Sequence, residues 1–303
     1  MRITQNSLIR QVVNQTQDRY ERLAVLERQM TSGLLLEKPS DDPQRASEII
    51  AAQNRLNRSR QYLKNSQALA QELMAVETAV GQVSDLVARV RSAALQGANG
   101  TLSAADREAL AREVDGELDE LLRIANQRYG SSYLFGGSSI DAVPFQTTRD
   151  DKGNIIAVTL PDAEVAAPLK RLVEEDQTLE NSLSPSELFD LGDGDDVFRV
   201  IIELRNALRA GDGEALNRTL DRLQGAVDLA SSATTLIGSH LQTAQSTVER
   251  LQASNLQDEN RLSRLADADA IDTITRYNQE QAAYEMALKT AARVIQPTLL
   301  DFL

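Results

Sequence analysis

Few residues in this chain have the types and spacing for chemistry. Asp41 and Asp42, in "MTSGLLLEKPSDDP", are the first candidates, as an acid/base pair or as ligands of a divalent cation. Adjacent side chains diverge, and no histidine or third ligand is placed to complete a site. Helix capping and turn formation therefore outweigh chemistry there. "GDGDD" at 192–196 has the oxygen-rich composition of a calcium loop, but lacks the twelve-residue spacing and the closing bidentate glutamate. It reads as a turn that starts a helix. His240 is the single histidine and has no carboxylate at metal-ligand spacing, and the chain has no cysteine, so a zinc site or catalytic triad lacks its residues. Gly136 and Gly137 are followed by neither GK[ST] nor GxGxxG, and read as a chain reversal rather than a phosphate loop. The expectation is no catalytic residue, no metal, no cofactor and no enzymatic activity.

The elements around these residues are long helices. Ile9, Val13, Thr16, Tyr20, Leu23 and Met30 step by threes and fours, with Glu27 interrupting the stripe. Leu34, Leu35 and Leu36 then lead into a turn through Pro39. They are too many apolar groups for a free loop and are expected to pack at a joint. Asp42 is placed to cap a second helix with Pro43 at its first position, where the missing N–H carries no penalty. That helix runs without proline to "GANGT", carrying Ile49, Leu56, Leu63, Leu73, Val76, Val80, Val83, Val87, Val90 and Ala94 on one stripe. "SAAD" at Ser103 to Asp106 matches a capping box, and Leu110, Val114, Leu118, Leu121 and Ala125 form the return helix.

Beyond Tyr133 the period changes. "VPFQTTRDDKGNIIAVTL" predicts a β-hairpin from about Val143 to Leu160, and "SPSE" at Ser184 to Glu187 predicts the start of a short helix. Helical spacing resumes at Val197, Ile201, Leu204 and Leu208, turns at Gly211 to Gly213, and then persists from Leu216 to Leu251. At the C-terminus Ile274, Tyr277, Gln281, Tyr284, Leu288, Ala291, Ile295, Leu299 and Phe302 repeat the threes and fours, although Pro297 removes one helical hydrogen bond.

Charge divides the chain in the same places. The net charge of -13 is concentrated at 135–195, which holds four basic and thirteen acidic residues, whereas 1–43 carries six of each. Such a field disfavours nucleic acid and anionic membrane surfaces, both of which need clustered Lys and Arg. No 18-residue apolar run exists, and the N-terminus lacks the apolar core of a cleavable signal, so any export is expected to use another route. A chain without thiols can cross compartments unfolded without cross-linking.

The fold class expected is mainly α: a long helical bundle and coiled coil built from N- and C-terminal arms, with a small inserted β-rich domain. The domains expected are 1–42 with 260–303 as a terminal coiled-coil assembly domain, 43–134 with 196–259 as a helical bundle, and 135–195 as an acidic outer insert. Each apolar stripe needs a partner to be stable in water. The two ends alone bury little, and Thr16, Glu27 and Gln281 weaken them further. Ile9, Val13, Tyr20, Leu23, Met30, Ile274, Tyr277, Tyr284, Leu288, Ile295, Leu299 and Phe302 are therefore the expected subunit-contact residues. Leu34, Leu35, Leu36, Pro39, Asp41, Asp42 and Pro43 form the expected joint.

Three blocks carry a family resemblance. "QMTSGLLLEKPSDDPQRAS" resembles the N-terminal signature of flagellins and their hook-associated relatives, "LDELLRIANQRYGSSYLFGGSS" at Leu118 to Ser139 resembles their next recurring block, and "ALKTAARVIQPTLLDFL" resembles their C-terminus. The likeness covers roughly 1–139 and 194–303. Within the family, "MRIT", "YLFGG" and the short insert are closer to the adapter at the hook–filament junction than to a filament subunit.

The resemblance implies a structural, secreted component of the bacterial flagellum. It would pass unfolded through the flagellar export channel and assemble through paired terminal helices, with the insert facing outward. The partners implied are further copies of itself in a ring layer, another hook-associated protein on the hook side, flagellin on the filament side, and an export chaperone. A short flagellin shares the architecture and stays open as an alternative. An acidic cytoplasmic coiled-coil chaperone or scaffold accounts for composition but not for the ordered motifs.

Overall fold

The computed structural model describes residues 5–100, 102–137, 143–161, 167–192 and 194–295, and side chains from residue 10 to residue 292 within them. Among the described residues seven helices dominate: α1 (Gln5–Ser32), α2 (Pro43–Gly97), α3 (Ala104–Ala125), α4 (Ser186–Phe189), α5 (Val197–Ala210), α6 (Gly213–Ala266) and α7 (Ala270–Ile295). Eight short strands form four antiparallel pairs: β1 (Arg128–Tyr129) with β2 (Ser132–Tyr133), β3 (Gln146–Arg149) with β4 (Ile155–Thr159), β5 (Lys170–Glu174) with β6 (Gln177–Glu180), and β7 (Asp190–Gly192) with β8 (Asp195–Asp196). The mainly α class with a small β-containing region is as the sequence predicts. The chain divides into two compact units, 1–58 with 253–303 and 59–252, so that α2 and α6 each contribute to both.

Local signals set the element ends. Ser103 and Asp106 form the predicted capping box of α3, with the Ser103 side chain accepting from the Asp106 N–H and the Asp106 carboxylate accepting from the Ser103 backbone. Asp196 caps α5 by accepting from the Arg199 N–H at 2.9 Å, and Gly211, in the left-handed region at φ 70°, ends it. Asp212 then starts α6, accepting from the N–H groups of Glu214 and Ala215. In "SPSE", Glu187 reaches back to accept from the Ser184 N–H at 2.7 Å and from its hydroxyl, so the contact predicted from sequence is made while Pro185 occupies the cap position of α4. The predicted hairpin is β3–β4, closed by Asp150 accepting from the N–H groups of Lys152 and Asn154.

The larger unit holds one hydrophobic core. Val76, Val80, Val83, Val87 and Val90 of α2 meet Val114, Leu118 and Leu121 of α3, Ile201 and Leu204 of α5, and Leu223 and Ile237 of α6. Phe135, Phe145, Phe189 and Phe198 are fully buried and in mutual ring contact, with centroids 5.0–5.7 Å apart. Three of these come from the acidic segment, which also contributes Ile155, Val173 and Leu183 to the same core. The segment is thus fastened to the bundle by its aromatics while its charges stay on the surface.

Polar contacts fix the hairpins in place. Asn126 exchanges two hydrogen bonds of 3.0 Å with the backbone of Phe145. Arg205, 2% exposed, donates to Asp115 and to the Ile155 carbonyl. Glu72 accepts from Arg171 at 2.8 Å and from Asn181 at 2.7 Å, joining α2 to β5 and to the end of β6.

Candidate assembly surface

In the smaller unit α1 and α7 pack antiparallel. Arg19 lies beside Glu280, Tyr20 beside Tyr284 with ring centroids 6.1 Å apart, and Gly33 beside Ala268. Half-buried positions, with buried Thr273, define their seam: Val12, Thr16, Arg19, Leu23 and Leu26 on α1, and Thr273, Tyr277, Glu280, Tyr284, Ala287 and Ala291 on α7. Both rows alternate threes and fours, the spacing that keeps one face of each helix toward its partner.

This seam corrects the stripes read from sequence. Of those stripes, Thr16, Leu23, Tyr277, Tyr284 and Ala291 lie in it. Val13, Tyr20, Met30, Ile274 and Leu288 stand beside it and are exposed, Tyr20 at 61%. Glu27 and Gln281 are exposed rather than seam interruptions, and the charged residues that do enter the seam are Arg19 and Glu280. Two threes-and-fours rows one position apart overlap on a helix of 3.6 residues per turn, and the sequence reading followed the more apolar row. Ile9 and Ile295 lie on α1 and α7 with side chains outside the described residues, while Leu299, Phe302 and Pro297 lie wholly outside them.

The joint is built from backbone. Gly33, in the left-handed region at φ 71°, ends α1 and lets the chain turn. The Leu35 N–H donates to the Ala266 carbonyl at 2.7 Å and the Ala268 N–H to the Gly33 carbonyl at 2.9 Å, giving an antiparallel bridge at Leu34 and Asp267. Gln29 adds a hydrogen bond to the Leu35 carbonyl at 2.8 Å. Of the three leucines expected to pack, Leu35 and Leu36 are half-buried, but Leu34 is 45% exposed because its backbone is extended along 266–268 with the side chain turned outward.

The acid pair divides its work. Asp42 accepts from the Arg45 N–H at 3.0 Å and caps α2, which begins at Pro43. Asp41 does not cap; it accepts from the Lys38 N–H at 3.0 Å and closes the turn containing Pro39 and Ser40. The second half of the joint, Asp267 to Asp269, was not read from sequence. Asp269 caps α7 by accepting from Ile271 and Asp272, and Ser263 donates to Asp267. The alternation "DADA" before an apolar-periodic stretch was the available signal.

The surface of the smaller unit is disproportionately apolar. Eleven of the eighteen large apolar side chains exposed among the described residues belong to it, while Ala46 and Leu56 are its only buried aliphatics among the described residues. It is nearly neutral, with fourteen basic and fifteen acidic residues. Among the described residues no group of three or more His, Asp or Glu could hold a metal ion, and no helix is long and apolar enough to cross a membrane.

The smaller unit is thus a helix pair with bare apolar flanks, tied at a cross-bridged joint. Comparison with known proteins shows what the chain resembles. Residues 3–139 match the family described as bacterial flagellin N-terminal helical region. Flagellar hook-associated protein 3 of Salmonella typhimurium is 26% identical over 276 residues, covering 86% of this chain and 87% of that protein. The Escherichia coli protein of the same name is 30% identical over 129 residues, 42% of this chain and 40% of that one. The fold is shared with the crystal structure of flagellar hook-associated protein 3 from Legionella pneumophila, at 14% identity and a TM-score of 0.62, covering 72% of this chain and 98% of that one. The chain is thus similar to the flagellin N-terminal region over 3–139 and to hook-associated protein 3 over most of its length.

Proposed function

We propose that the chain is a structural adapter of the bacterial flagellum that joins hook to filament, assembling through α1 and α7 into a layer of identical subunits. Another hook-associated protein would meet it on the hook side and flagellin on the filament side. The observation that carries the assembly reading is the imbalance in the smaller unit: many exposed apolar side chains against two buried aliphatics. Fully burying a side chain such as Leu or Met contributes roughly 1.5 to 3 kcal/mol, which a lone subunit leaves unrealised on these flanks. A neutral, apolar surface packs closely without repulsion between copies.

The same surface supports the rest of the reading. An export chaperone would cover these flanks before assembly, and the absence of cysteine suits passage as an unfolded chain through the flagellar export channel to the cell exterior. The adapter contains no catalytic step; its activity is docking. Likeness to the flagellin N-terminal region also supports a second reading, a short filament subunit. Deleting the gene separates the two. Loss of the adapter leaves hooks that release unpolymerised flagellin into the medium, whereas loss of flagellin leaves none to release. Intact motility after deletion would overturn both.

A further inference from the structure

The β5–β6 hairpin is tied to both long helices of the larger unit. Glu72, 8% exposed on α2, gives both carboxylate oxygens to it: Oε2 accepts from Arg171 Nη2 at 2.8 Å and Oε1 from Asn181 Nδ2 at 2.7 Å. Asn181 is itself closed at the base of the hairpin. Its Oδ1 accepts from the Leu169 N–H at 2.8 Å, and its own N–H donates to the Leu169 carbonyl at 3.0 Å. Asn65 of α2 donates to the Leu172 carbonyl at 3.0 Å, Glu174 pairs with Arg250 of α6, and Val173 is fully buried in the core.

These ties fall where the core thins. From Leu69 to Ala94 α2 buries a side chain in every turn, whereas among residues 57–68 only Ser66 is buried, and its hydroxyl has no partner. On α6 the last buried side chains of this unit are Thr247 and Leu251. Asn65, Glu72 and Arg250 thus stand near the limits of the larger unit, 59 on α2 and 252 on α6.

A helix pair that buries few apolar groups opens at low cost, and an opening that starts at the chain ends spreads along it until it meets contacts that must break together. Glu72 and Asn181 make such contacts. Both are buried, so breaking one bond of the network leaves a carboxylate or an amide unsatisfied while the others hold it in place. The exposed Arg250–Glu174 pair adds little by itself. We propose that the β5–β6 hairpin is a strap that stops an opening from the chain ends at the edge of the larger unit. The smaller unit, with its bare flanks, can then open without loosening the core of the larger. The strap acts within one subunit and does not rest on the adapter reading.

The test is hydrogen exchange followed by mass spectrometry on the full chain in dilute solution. Peptides from 59–75 and 240–252 are compared with peptides from 80–94 and 111–125. Asn181→Ala removes the donor to Glu72 and the acceptor for Leu169. It should speed exchange in the first set about tenfold or more and leave the second set at the parent rate. Arg171→Ala, at a side chain 42% exposed, should move the same peptides in the same direction by a smaller factor, and it decides the outcome if Asn181→Ala does not fold. Unchanged exchange in the first set would overturn the proposal. Equal acceleration of both sets would also overturn it, since the hairpin would then contribute to overall stability alone. No assembly step enters the measurement, so the adapter reading keeps its own deletion test.

Discussion

At the residue scale, Asp42 and Asp196, two of the carboxylates that looked chemical, act as caps. Asp42→Ala should lower stability by about 1 kcal/mol, whereas Asp42→Asn should be nearly neutral, because only the side-chain oxygen accepting from Arg45 is required. Faster hydrogen exchange in the first turn of α2 for the alanine variant alone would be the readout. Asp196 behaves differently because it is partly buried. Burial raises its pKa above the ordinary carboxylate value, outweighing the backbone N–H groups of Arg199 and Phe198 that favour the anion. The folded state therefore holds the proton more tightly than the unfolded chain, and the contribution of Asp196 to stability falls as pH rises from the ordinary carboxylate value through the raised one. Asp196→Asn keeps the capping oxygen and loses this titration. It should gain stability relative to the parent as pH rises above the ordinary carboxylate range, measured by urea midpoints across a pH series. These caps were legible in the sequence because each joins residues two to four apart. The Arg19–Glu280 contact was not, since its partners are 261 positions apart and their meeting depends on the register of two helices.

At the scale of elements, periodicity identified the helices but placed their facing rows one position away from the seam. Both candidate rows contain apolar residues, and a single helix offers no means of choosing between a row that meets its partner within the chain and one left on the surface. Val13, Tyr20 and Met30 are the more apolar row and the exposed one. The hairpin at 143–160 was legible from its turn residues and β-branched runs. The convergence of Phe135, Phe145, Phe189 and Phe198 was not, because it joins two connecting segments and two helices with no common spacing. That cluster fastens the acidic segment to the helices of the larger unit. Phe189→Ala should therefore destabilise this unit by about 3 to 5 kcal/mol, seen as a lowered thermal midpoint with loss of near-ultraviolet ellipticity.

At the scale of the whole molecule, two compact units differ in how far each is finished as an isolated chain. The larger has a continuous core and carries most of the negative charge; the smaller is neutral and leaves its apolar flanks bare. Limited proteolysis of dilute protein should remove residues from about 1–40 and 265–303 first and leave a fragment containing 59–252. Equal resistance at the ends and in the core would contradict the inference that the flanks are completed by other copies. Composition alone indicated a helical protein with an acidic middle. Apolar stripes at the two ends pointed to the unfinished surface; which faces of α1 and α7 stay bare emerged from the packing.

The cross-bridge at Leu34 and Asp267 has a mechanical meaning. The interruptions between α1 and α2 and between α6 and α7 stand at the same level and are tied to each other by two backbone hydrogen bonds. Staggered breaks would make the two strands change length unequally under a bending load and shear the seam. Level, tied breaks form a paired knuckle: α1 and α7 flex together, and torque entering one strand reaches the other at the knuckle rather than by sliding.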